Sequence, residues 1–287
     1  MKKITILLIS LAFLVACKSD KKEADVTKIE NKEPLKVFMF DGGTVQVNNL
    51  EIFSQGDLYK GESKTFADAF YVIQHPKGNM LWDAGLAEAL VEQEPFTTPN
   101  GAFTVSRKMG VNEQLKQINL SPNDFKYIAL SHTHFDHSGS ASKFTDATWI
   151  VQEAEYNFVT SQEQQKHSAD NYNAIKDLKN IKKIKGDFDV FGDGTVVIKS
   201  TPGHTPGHQS LFLDLKQEGP LLLTGDLYHF EENRKGAIVP SFNHSLEDTK
   251  ASMEIFEAFA EKKGARVIIQ HSLKDFNSLN HAPEPIQ

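Results

Sequence analysis

Short apolar runs separated by polar segments dominate the sequence from Leu35 onward. The runs at 70–73 and 80–82 flank the turn-forming segment 75–79, which predicts two strands joined by a turn. Further apolar runs predict strands at 127–130, 148–151, 195–198, 210–215, 221–224 and 267–269. Because few helical segments separate these strands, the pattern favours an α+β protein with two sheets over a simple parallel α/β layout.

Two segments carry a helical pattern. Residues 153–178 are polar with sparse apolar positions, which predicts one or two surface helices. A longer helix is predicted to begin at Ser245, which has Asp248 at capping-box spacing. Gly264 is suited to end this helix. Its apolar positions share one helical face: Met253, Phe256 and Phe259.

The first 34 residues have a different character. Lys2 and Lys3 precede an apolar run at 4–15, which is too short to cross a bilayer as a permanent helix. The only cysteine, Cys17, closes the sequence Leu-Val-Ala-Cys, which resembles the lipobox of bacterial lipoproteins, where cleavage precedes a cysteine that carries lipid. Residues 1–16 are therefore predicted to be a lipoprotein signal peptide.

Residues 17–34 are mostly charged and cannot bury enough apolar surface to fold, so they are predicted to form a flexible tether. The lipobox resemblance implies an exported protein that is lipid-anchored to a bacterial membrane, in the periplasm or at the cell surface, or else is secreted. Membrane contact is expected only through this anchor. The remaining residues, 35–287, are predicted to form a single domain.

Composition excludes some classes of function. A net charge of -7, with no long run of lysine or arginine, argues against nucleic-acid binding. With 39% hydrophobic residues, the chain can bury a core without cross-links. A single cysteine forms no intramolecular disulfide, and its place in the anchor leaves no thiolate for catalysis or metal binding.

The densest group of polar side chains directly follows the strand predicted at 127–130 and consists of His132, His134, Asp136 and His137. In an extended segment, His132 and His134 point to the same side and can hold one metal ion, while Asp136 and His137 turn toward a second. Imidazole and carboxylate are the ligands that zinc favours where thiolate is absent. Packing so many polar groups without a partner would be costly, so a metal site is predicted.

Three later segments also place polar residues at the ends of predicted strands. His204 and His208 lie in Thr-Pro-Gly-His-Thr-Pro-Gly-His, where each Pro-Gly pair fixes the backbone of a loop. Asp226 and His271 each close an apolar strand. Because loops and strand ends carry most binding side chains, these residues are candidates for an active site.

This series of motifs resembles that of the metallo-β-lactamase superfamily, and it spans residues 83–271. The resemblance implies a single catalytic domain over 35–287 with an αββα sandwich fold and two divalent metal ions, with zinc favoured. It implies one ion held by His132, His134 and His204. It implies a second ion held by Asp136, His137 and His271, with Asp226 bridging the two. Asp83, in Leu-Trp-Asp-Ala-Gly, matches the first motif of the superfamily and would support the site.

Such a ligand set implies hydrolysis, because two close metal ions lower the pKa of a shared water and the bridging hydroxide attacks a carbonyl or phosphoryl centre. Within the superfamily the sequence is similar to the N-acyl homoserine lactonases, which open the lactone ring of a quorum-sensing signal. The similarity lies in 208–211, 40–43 and 69–73. It implies an acyl homoserine lactone as the small-molecule substrate. The candidates for an acyl-chain pocket are Phe103, Phe144, Phe158 and Phe242.

One position departs from the lactonase pattern. Those enzymes place a tyrosine three residues after the bridging aspartate, where its hydroxyl assists the substrate carbonyl. Here Tyr228 stands two residues after Asp226, and His229 stands three residues after it. Both are candidate catalytic residues beside Asp136: His229 by donating a hydrogen bond, and Tyr228 through a shifted loop.

Other functions share parts of this pattern. A subclass B3-like β-lactamase would also be exported, but it does not use a bridging aspartate such as Asp226. A glyoxalase II-type thioesterase carries a C-terminal helical region, and only sixteen residues follow His271. A persulfide dioxygenase would hold a single iron, and a non-catalytic binding or adhesion module would show no turnover. A lactonase is preferred, with another hydrolase of this fold, such as a β-lactamase or a thioesterase, as the alternative.

Overall fold

The structure is a computed structural model that describes residues 34–287. The predicted signal peptide at 1–16, the predicted lipid-bearing Cys17 and all of the predicted tether except Pro34 lie outside the described residues. No helix within residues 34–287 is both long enough and apolar enough to cross a membrane.

Two β-sheets form the centre of the described part of the chain. Their strands are β1 (Lys36–Val47), β2 (Lys64–His75), β3 (Gly78–Trp82), β4 (Phe96–Thr97), β5 (Phe103–Ser106), β6 (Phe125–Ala129), β7 (Thr148–Gln152), β8 (Ile181–Ile184), β9 (Phe188–Asp189), β10 (Val196–Ser200), β11 (Gln209–Leu215), β12 (Gly219–Leu223) and β13 (Arg266–Ile268). The first sheet has the strand order β4-β5-β1-β2-β3-β6-β7-β8, and the second has the order β13-β12-β11-β10-β9.

Helices flank the two sheets: α1 (Val111–Lys116), α2 (Phe135–Ser138), α3 (Glu153–Val159), α4 (Gln162–His167), α5 (Ala169–Ile175), α6 (Glu231–Gly236), α7 (Leu246–Lys263) and α8 (Leu273–Ser278). The hydroxyl of Ser245 caps α7 by accepting the N–H of Asp248 at 3.1 Å. Gly264 ends the same helix in the left-handed region, at φ 60°. Both ends of α7 were therefore correctly predicted.

Apolar layers between and outside the two sheets hold the described sheets and helices together. The inner layer lies between the sheets and joins residues such as Tyr71 and Ile150 of the first sheet to Leu211 of the second. A second layer packs α1, α3 and α5 against the outer face of the first sheet. A third packs Met253 and Phe256 of α7 against the second sheet. Each fully buried large apolar side chain contributes about 1.5–3 kcal/mol. The predicted αββα sandwich is confirmed.

The carboxyl ends of strands from both sheets meet the chain segments that carry the predicted ligands. β3 and β6 are parallel, so the residues that follow them, Asp83 and Leu130, leave the same edge of the first sheet. β12 and β13 are also parallel, and β10 runs in the same direction because both β10 and β12 are antiparallel to β11. This shared direction gathers segments that are far apart in sequence.

The predicted strands are confirmed, with bounds that differ by a few residues. The hairpin around 75–79 places His75 opposite Gly78. The prediction of one or two helices in 153–178 is wrong, because the segment forms the three short helices α3, α4 and α5. Ser161 begins a new helix by accepting the N–H of Gln164 with its hydroxyl, at 3.2 Å. The backbone of Ser168 is not helical and separates α4 from α5.

Candidate metal centre

The turn between β6 and α2 divides the predicted ligands of this segment into two groups. The carbonyl of His134 accepts the N–H groups of His137 and Ser138, at 3.1 and 2.9 Å, and so starts α2. As a result His132 and His134 fall into one potential metal-binding group, whereas Asp136 and His137 fall into another. The local sequence thus supplies ligands for two sites from six residues.

The first group, called the three-histidine cluster, consists of His132, His134 and His204. Nε2 of His204 lies 3.1 Å from Nε2 of His132 and 3.0 Å from Nδ1 of His134. Nε2 of His132 and Nδ1 of His134 are 2.9 Å apart. Ligand nitrogens around a tetrahedral zinc ion lie roughly 3.3 Å apart. The three rings therefore converge at close to the spacing that one ion requires.

The second group, called the two-histidine cluster, consists of Asp136, His137 and His271. The Nε2 atoms of His137 and His271 are 3.1 Å apart. The carboxylate of Asp136 lies 3.9 Å from Nε2 of His137 and 3.8 Å from Nε2 of His271. All three side chains are buried or nearly so. This group can hold a second ion.

Asp226 spans the two clusters. Its Oδ1 atom lies 3.0 Å from Nε2 of both His137 and His271. Its Oδ2 atom lies 3.3 Å from Nε2 of His204 and 3.6 Å from Nε2 of His132. One carboxylate oxygen thus faces each cluster, which is the arrangement that a bridging ligand needs.

The outer nitrogens of the histidine rings determine where their lone pairs point. Nδ1 of His204 donates to Oδ1 of Asn243 at 2.9 Å, and Nδ1 of His271 donates to the carbonyl of Ala67 at 2.8 Å. Because each partner is an acceptor, the proton lies on Nδ1 and the Nε2 lone pair faces the cluster. Converging lone pairs together with carboxylates favour cations, so these residues fit two divalent metal ions.

The charges around Asp226 lead to the same conclusion. Burial alone would raise the pKa of Asp226, but His137 and His271 hold it well below its usual range. Burial lowers the pKa of His271, yet the Asp226 carboxylate outweighs this effect and raises the pKa to about 9. Burial lowers the pKa of His132 and His204 well below the ordinary value. Without a metal, positive charge therefore collects at the two-histidine cluster.

This asymmetry predicts that the two metal ions respond differently to pH. The carboxylate of Asp226 raises the pKa of both His137 and His271, the latter to about 9, so an ion in the two-histidine cluster must displace protons from both rings and its affinity falls as the pH drops below about 9. The three-histidine cluster is already neutral near pH 7 and loses affinity only at lower pH. Zinc binding measured against a competing chelator should fall from two ions per chain at about pH 8 toward one at about pH 6. Simultaneous loss of both ions would contradict this expectation.

Asp83 supports the centre from beneath, as its motif implied. Its Oδ1 atom accepts the N–H of Ser131 at 2.6 Å, and its Oδ2 atom accepts Nδ1 of His137 at 3.1 Å and Nε2 of Gln270 at 2.8 Å. The other amide atom of Gln270, Oε1, accepts the N–H of Gly225 at 3.0 Å. Asp83 and Gln270 therefore tie together segments that follow β3, β6, β12 and β13. No motif in the sequence pointed to Gln270.

His208, the second histidine of the Pro-Gly-His motif, contacts the backbone of Asp226 rather than joining either cluster. Its Nδ1 atom donates to the carbonyl of Thr201 at 2.9 Å, and its Nε2 atom accepts the N–H of Asp226 at 2.8 Å. Gly225 permits this approach, because its φ is 55° and a Cβ atom there would lie 2.6 Å from Nε2 of His208. His208 therefore positions the bridging aspartate.

A further buried carboxylate, Asp68, was missed by the sequence analysis. Its side chain is 1% exposed, and neither carboxylate oxygen has a hydrogen-bond partner among the described residues. Burial and the nearby Asp136 raise the pKa of Asp68 to about 7. A lone aspartate within the apolar strand β2 was the signal that could have identified it.

A cavity of about 770 Å³ opens directly onto the metal centre. Its polar wall includes His134, Asp136, Asp226, His229 and His271. Its apolar wall is mainly aromatic and includes Phe53, Phe66, Phe103, Phe135 and Phe242. Such a volume, with convergent polar groups at one end, is typical of a small-molecule site.

Two of the four predicted pocket phenylalanines line this cavity. Phe103 and Phe242 do so, and Phe242 is 42% exposed at its wall. The prediction for Phe144 is wrong, because its ring packs edge-on against Phe125 inside the layer between the first sheet and its helices. Phe158 is also not part of the cavity wall, and its ring faces His244. The sequence analysis missed Phe53, whose ring lies 5.2 Å from that of Phe242.

The structure places His229, but not Tyr228, at the metal centre. Nε2 of His229 lies 3.1 Å from Oδ2 of Asp226, and the ring lines the cavity edge-on to Phe53 at 4.8 Å. Tyr228 points into the apolar layer beneath α7, where its ring packs against Phe256. The backbone of Tyr228 is extended, so consecutive side chains point to opposite sides. The shifted-loop position proposed for Tyr228 is therefore not observed.

Comparison with known proteins agrees with this geometry. A family model of the metallo-beta-lactamase superfamily matches residues 67–271. The N-acyl homoserine lactonase AttM of Rhizobium radiobacter is 31% identical over 269 residues, which cover 87% of this chain and 98% of the relative. The N-acyl homoserine lactonase AiiA of Bacillus thuringiensis subsp. kurstaki is 32% identical over 223 residues, which cover 75% of this chain and 85% of the relative.

A solved structure is similar over nearly the same length. It is an N-acyl homoserine lactone hydrolase with the product N-hexanoyl-L-homoserine bound at its catalytic metal center. The two structures superpose with a TM-score of 0.75 at 27% sequence identity, covering 88% of this chain and 98% of the other.

Proposed function

Since the chain belongs to the metallo-beta-lactamase superfamily, we propose that it is a dizinc N-acyl homoserine lactonase that quenches quorum-sensing signals. The observation that carries this proposal is the cavity itself. An aromatic wall suited to an acyl chain ends directly at two adjacent clusters of metal-binding side chains. The relatives AttM and AiiA, which bear the lactonase name, match most of the chain and support the same substrate class.

The donor set supports zinc as the metal. The two clusters and Asp226 supply five imidazole nitrogens and two carboxylates. Nitrogen and carboxylate donors suit zinc, whereas magnesium and calcium prefer an all-oxygen set. The spacing of about 3 Å between the ring nitrogens of the three-histidine cluster is compatible with tetrahedral zinc.

Two zinc ions bound here would supply a water of lowered pKa and polarise the lactone carbonyl. The aromatic wall with Phe53 and Phe103 binds the acyl chain and excludes bulk water from the centre. The water oxygen adds to the lactone carbonyl carbon, the ring C–O bond breaks, and the leaving oxygen takes a proton to give N-acyl homoserine. Nε2 of His229 lies 3.1 Å from Oδ2 of Asp226 at the cavity wall, so once the metal ions hold this carboxylate, Nε2–H would be available to donate to charge that develops on the carbonyl oxygen.

A substrate panel tests this function. Zinc- or cobalt-loaded protein should open both short- and long-chain acyl homoserine lactones, with the released acid followed by a pH indicator. The large aromatic cavity predicts that KM decreases as the acyl chain lengthens, because each buried CH₂ contributes about 0.8 kcal/mol. Turnover of cephalosporins or thioesters without turnover of lactones would overturn the proposal in favour of another hydrolase of this fold.

We also propose that this hydrolase is exported and held at a membrane by lipid on Cys17. The support is the charged start, the apolar run and the Leu-Val-Ala-Cys sequence. An anchored enzyme at the cell envelope would meet signal molecules as they enter or leave the cell.

A further inference from the structure

Glu155 is a buried carboxylate that the proposed reaction does not use. It lies in the first turn of α3, and its residue is only 2% exposed. Its Oε1 atom accepts the N–H of Thr133 at 2.9 Å and the hydroxyl of Thr133 at 2.7 Å. Its Oε2 atom accepts the hydroxyl of Thr205 at 2.6 Å and the N–H of Gly207 at 3.1 Å. Four donors thus satisfy one buried charge.

These four donors come from the two segments that carry the three-histidine cluster. Thr133 lies between His132 and His134, and Thr205 directly follows His204. Gly207 lets the second segment approach closely, because a Cβ atom there would lie 2.3 Å from the backbone nitrogen of Glu155. Glu155 therefore joins two loops that are about seventy residues apart in sequence, at the residues adjacent to the ligands.

The two-histidine cluster has different supports. Asp83 receives Nδ1 of His137, and the carbonyl of Ala67 receives Nδ1 of His271. Among the hydrogen bonds of residues 34–287, none joins Glu155 to these histidines. Glu155 therefore lies behind the three-histidine cluster alone, whereas Asp83 receives a ring nitrogen of the two-histidine cluster and touches the other cluster only through the N–H of Ser131, next to His132.

We propose that Glu155 is a positioning residue that sets the metal affinity of the three-histidine cluster and leaves that of the two-histidine cluster unchanged. Its carboxylate fixes the separation between the His132–His134 segment and His204. Loss of a hydrogen-bond partner of a metal ligand typically costs 10- to 100-fold in metal affinity, and Glu155 acts on the ligands through the neighbouring Thr133 and Thr205. The inference rests on the metal centre of the proposed function, and metal binding rather than lactone turnover measures it.

Glu155→Gln tests the proposal. The amide nitrogen of glutamine cannot accept, so a backbone N–H, that of Thr133 or Gly207, loses its partner. The purified full chain should then lose affinity for one zinc ion by about 10- to 100-fold and keep the other. Chelator competition followed by elemental analysis counts the ions. The visible spectrum of the cobalt-loaded protein identifies the remaining site, because a three-histidine and a two-histidine donor set give different bands.

Asp83→Asn is the matched control. Asparagine tolerates the left-handed backbone of this position, where φ is 58°. It should weaken binding of the ion in the two-histidine cluster more than binding of the ion in the three-histidine cluster, because Asp83 accepts directly from Nδ1 of His137 and reaches the other cluster only through the N–H of Ser131. The proposal fails if Glu155→Gln lowers the affinity for both ions equally. It also fails if the variant lowers only the melting temperature while both ions stay bound with normal affinity, because Glu155 is then a structural residue. Should Glu155→Gln not fold, Thr205→Val removes one of the four donors and should weaken the same ion about tenfold.

Metal content and catalysis separate the two proposals. If the protein does not cleave lactones, but the variants change zinc and cobalt binding as expected, the lactonase proposal fails and the role of Glu155 stands. If Glu155→Gln binds both ions and turns over lactones normally, the role of Glu155 is refuted and the lactonase proposal stands.

Discussion

Asp226→Asn is expected to lower kcat/KM for acyl homoserine lactones by about 10³-fold or more and to remove at least one metal ion. Asp226 presents one charged oxygen to each cluster, at 3.0 Å from His137 and His271 and at 3.3 Å from His204. Asparagine keeps the shape but offers a single neutral oxygen, and its amide nitrogen is not a metal ligand. Initial rates with a lactone, together with elemental analysis, measure both effects.

Asp214→Asn provides the control for this substitution. Asp214 lies on β11, and its replacement by asparagine is the same chemical change as Asp226→Asn. Its side chain, however, is exposed. This variant should keep normal activity and two bound ions. An Asp226→Asn protein that holds two ions and cleaves lactones at a normal rate would refute the bridging role.

The ligands of the metal centre could be predicted because their signals are local. Within six consecutive positions the chain places four potential ligands, His132, His134, Asp136 and His137, and this chemical density alone indicates a metal. Asp226 and His271 each follow an apolar strand and His204 lies in the Pro-Gly loop after another, and the parallel direction of β10, β12 and β13 brings these strand ends to one edge. The αββα fold followed from the same motifs through their resemblance to the superfamily.

The supports of the ligands could not be predicted, because each is a single polar residue whose partner is distant in sequence. Glu155 is the third residue of a polar segment that has the composition of a solvated helix, yet it is buried against loops near residues 133 and 205. Gln270 precedes a ligand and looks like part of a strand end. Only the packing of the two sheets shows that both are enclosed.

The residues that line the cavity also could not be predicted from the local sequence pattern. The chain has twenty phenylalanines, and apolar periodicity does not distinguish a ring in the core from one at a cavity. The local sequence does not distinguish Phe144 from Phe103. In the folded chain, Phe144 lies behind the first sheet and Phe103 lies at the metal centre. The decisive contacts, such as that of Phe53 with His229, join segments that meet only in the folded chain.

His229→Phe is expected to lower kcat about 10²- to 10³-fold with little change in KM, because it removes a donor that acts mainly as charge develops on the lactone. The phenyl ring preserves the edge-on contact with Phe53, at 4.8 Å, and the wall of the cavity. His229→Tyr should recover part of the activity, since a hydroxyl can donate from the same position. Steady-state kinetics on one lactone, with metal content confirmed, separates kcat from KM.

Tyr228→Phe is the matched control, because the two residues are adjacent but face opposite ways. Tyr228 packs under α7, and burial together with its hydrogen bond to Glu257 raises the pKa of its hydroxyl far above the usual value, so the hydroxyl stays protonated throughout the working range. The variant should keep its kcat and lose about 0.5–1.5 kcal/mol of unfolding free energy. A kcat that falls in Tyr228→Phe and not in His229→Phe would mean that the loop rearranges when substrate binds. If neither variant loses kcat, the carbonyl is polarised by the metal ions alone, and the histidine in this position serves only to shape the cavity.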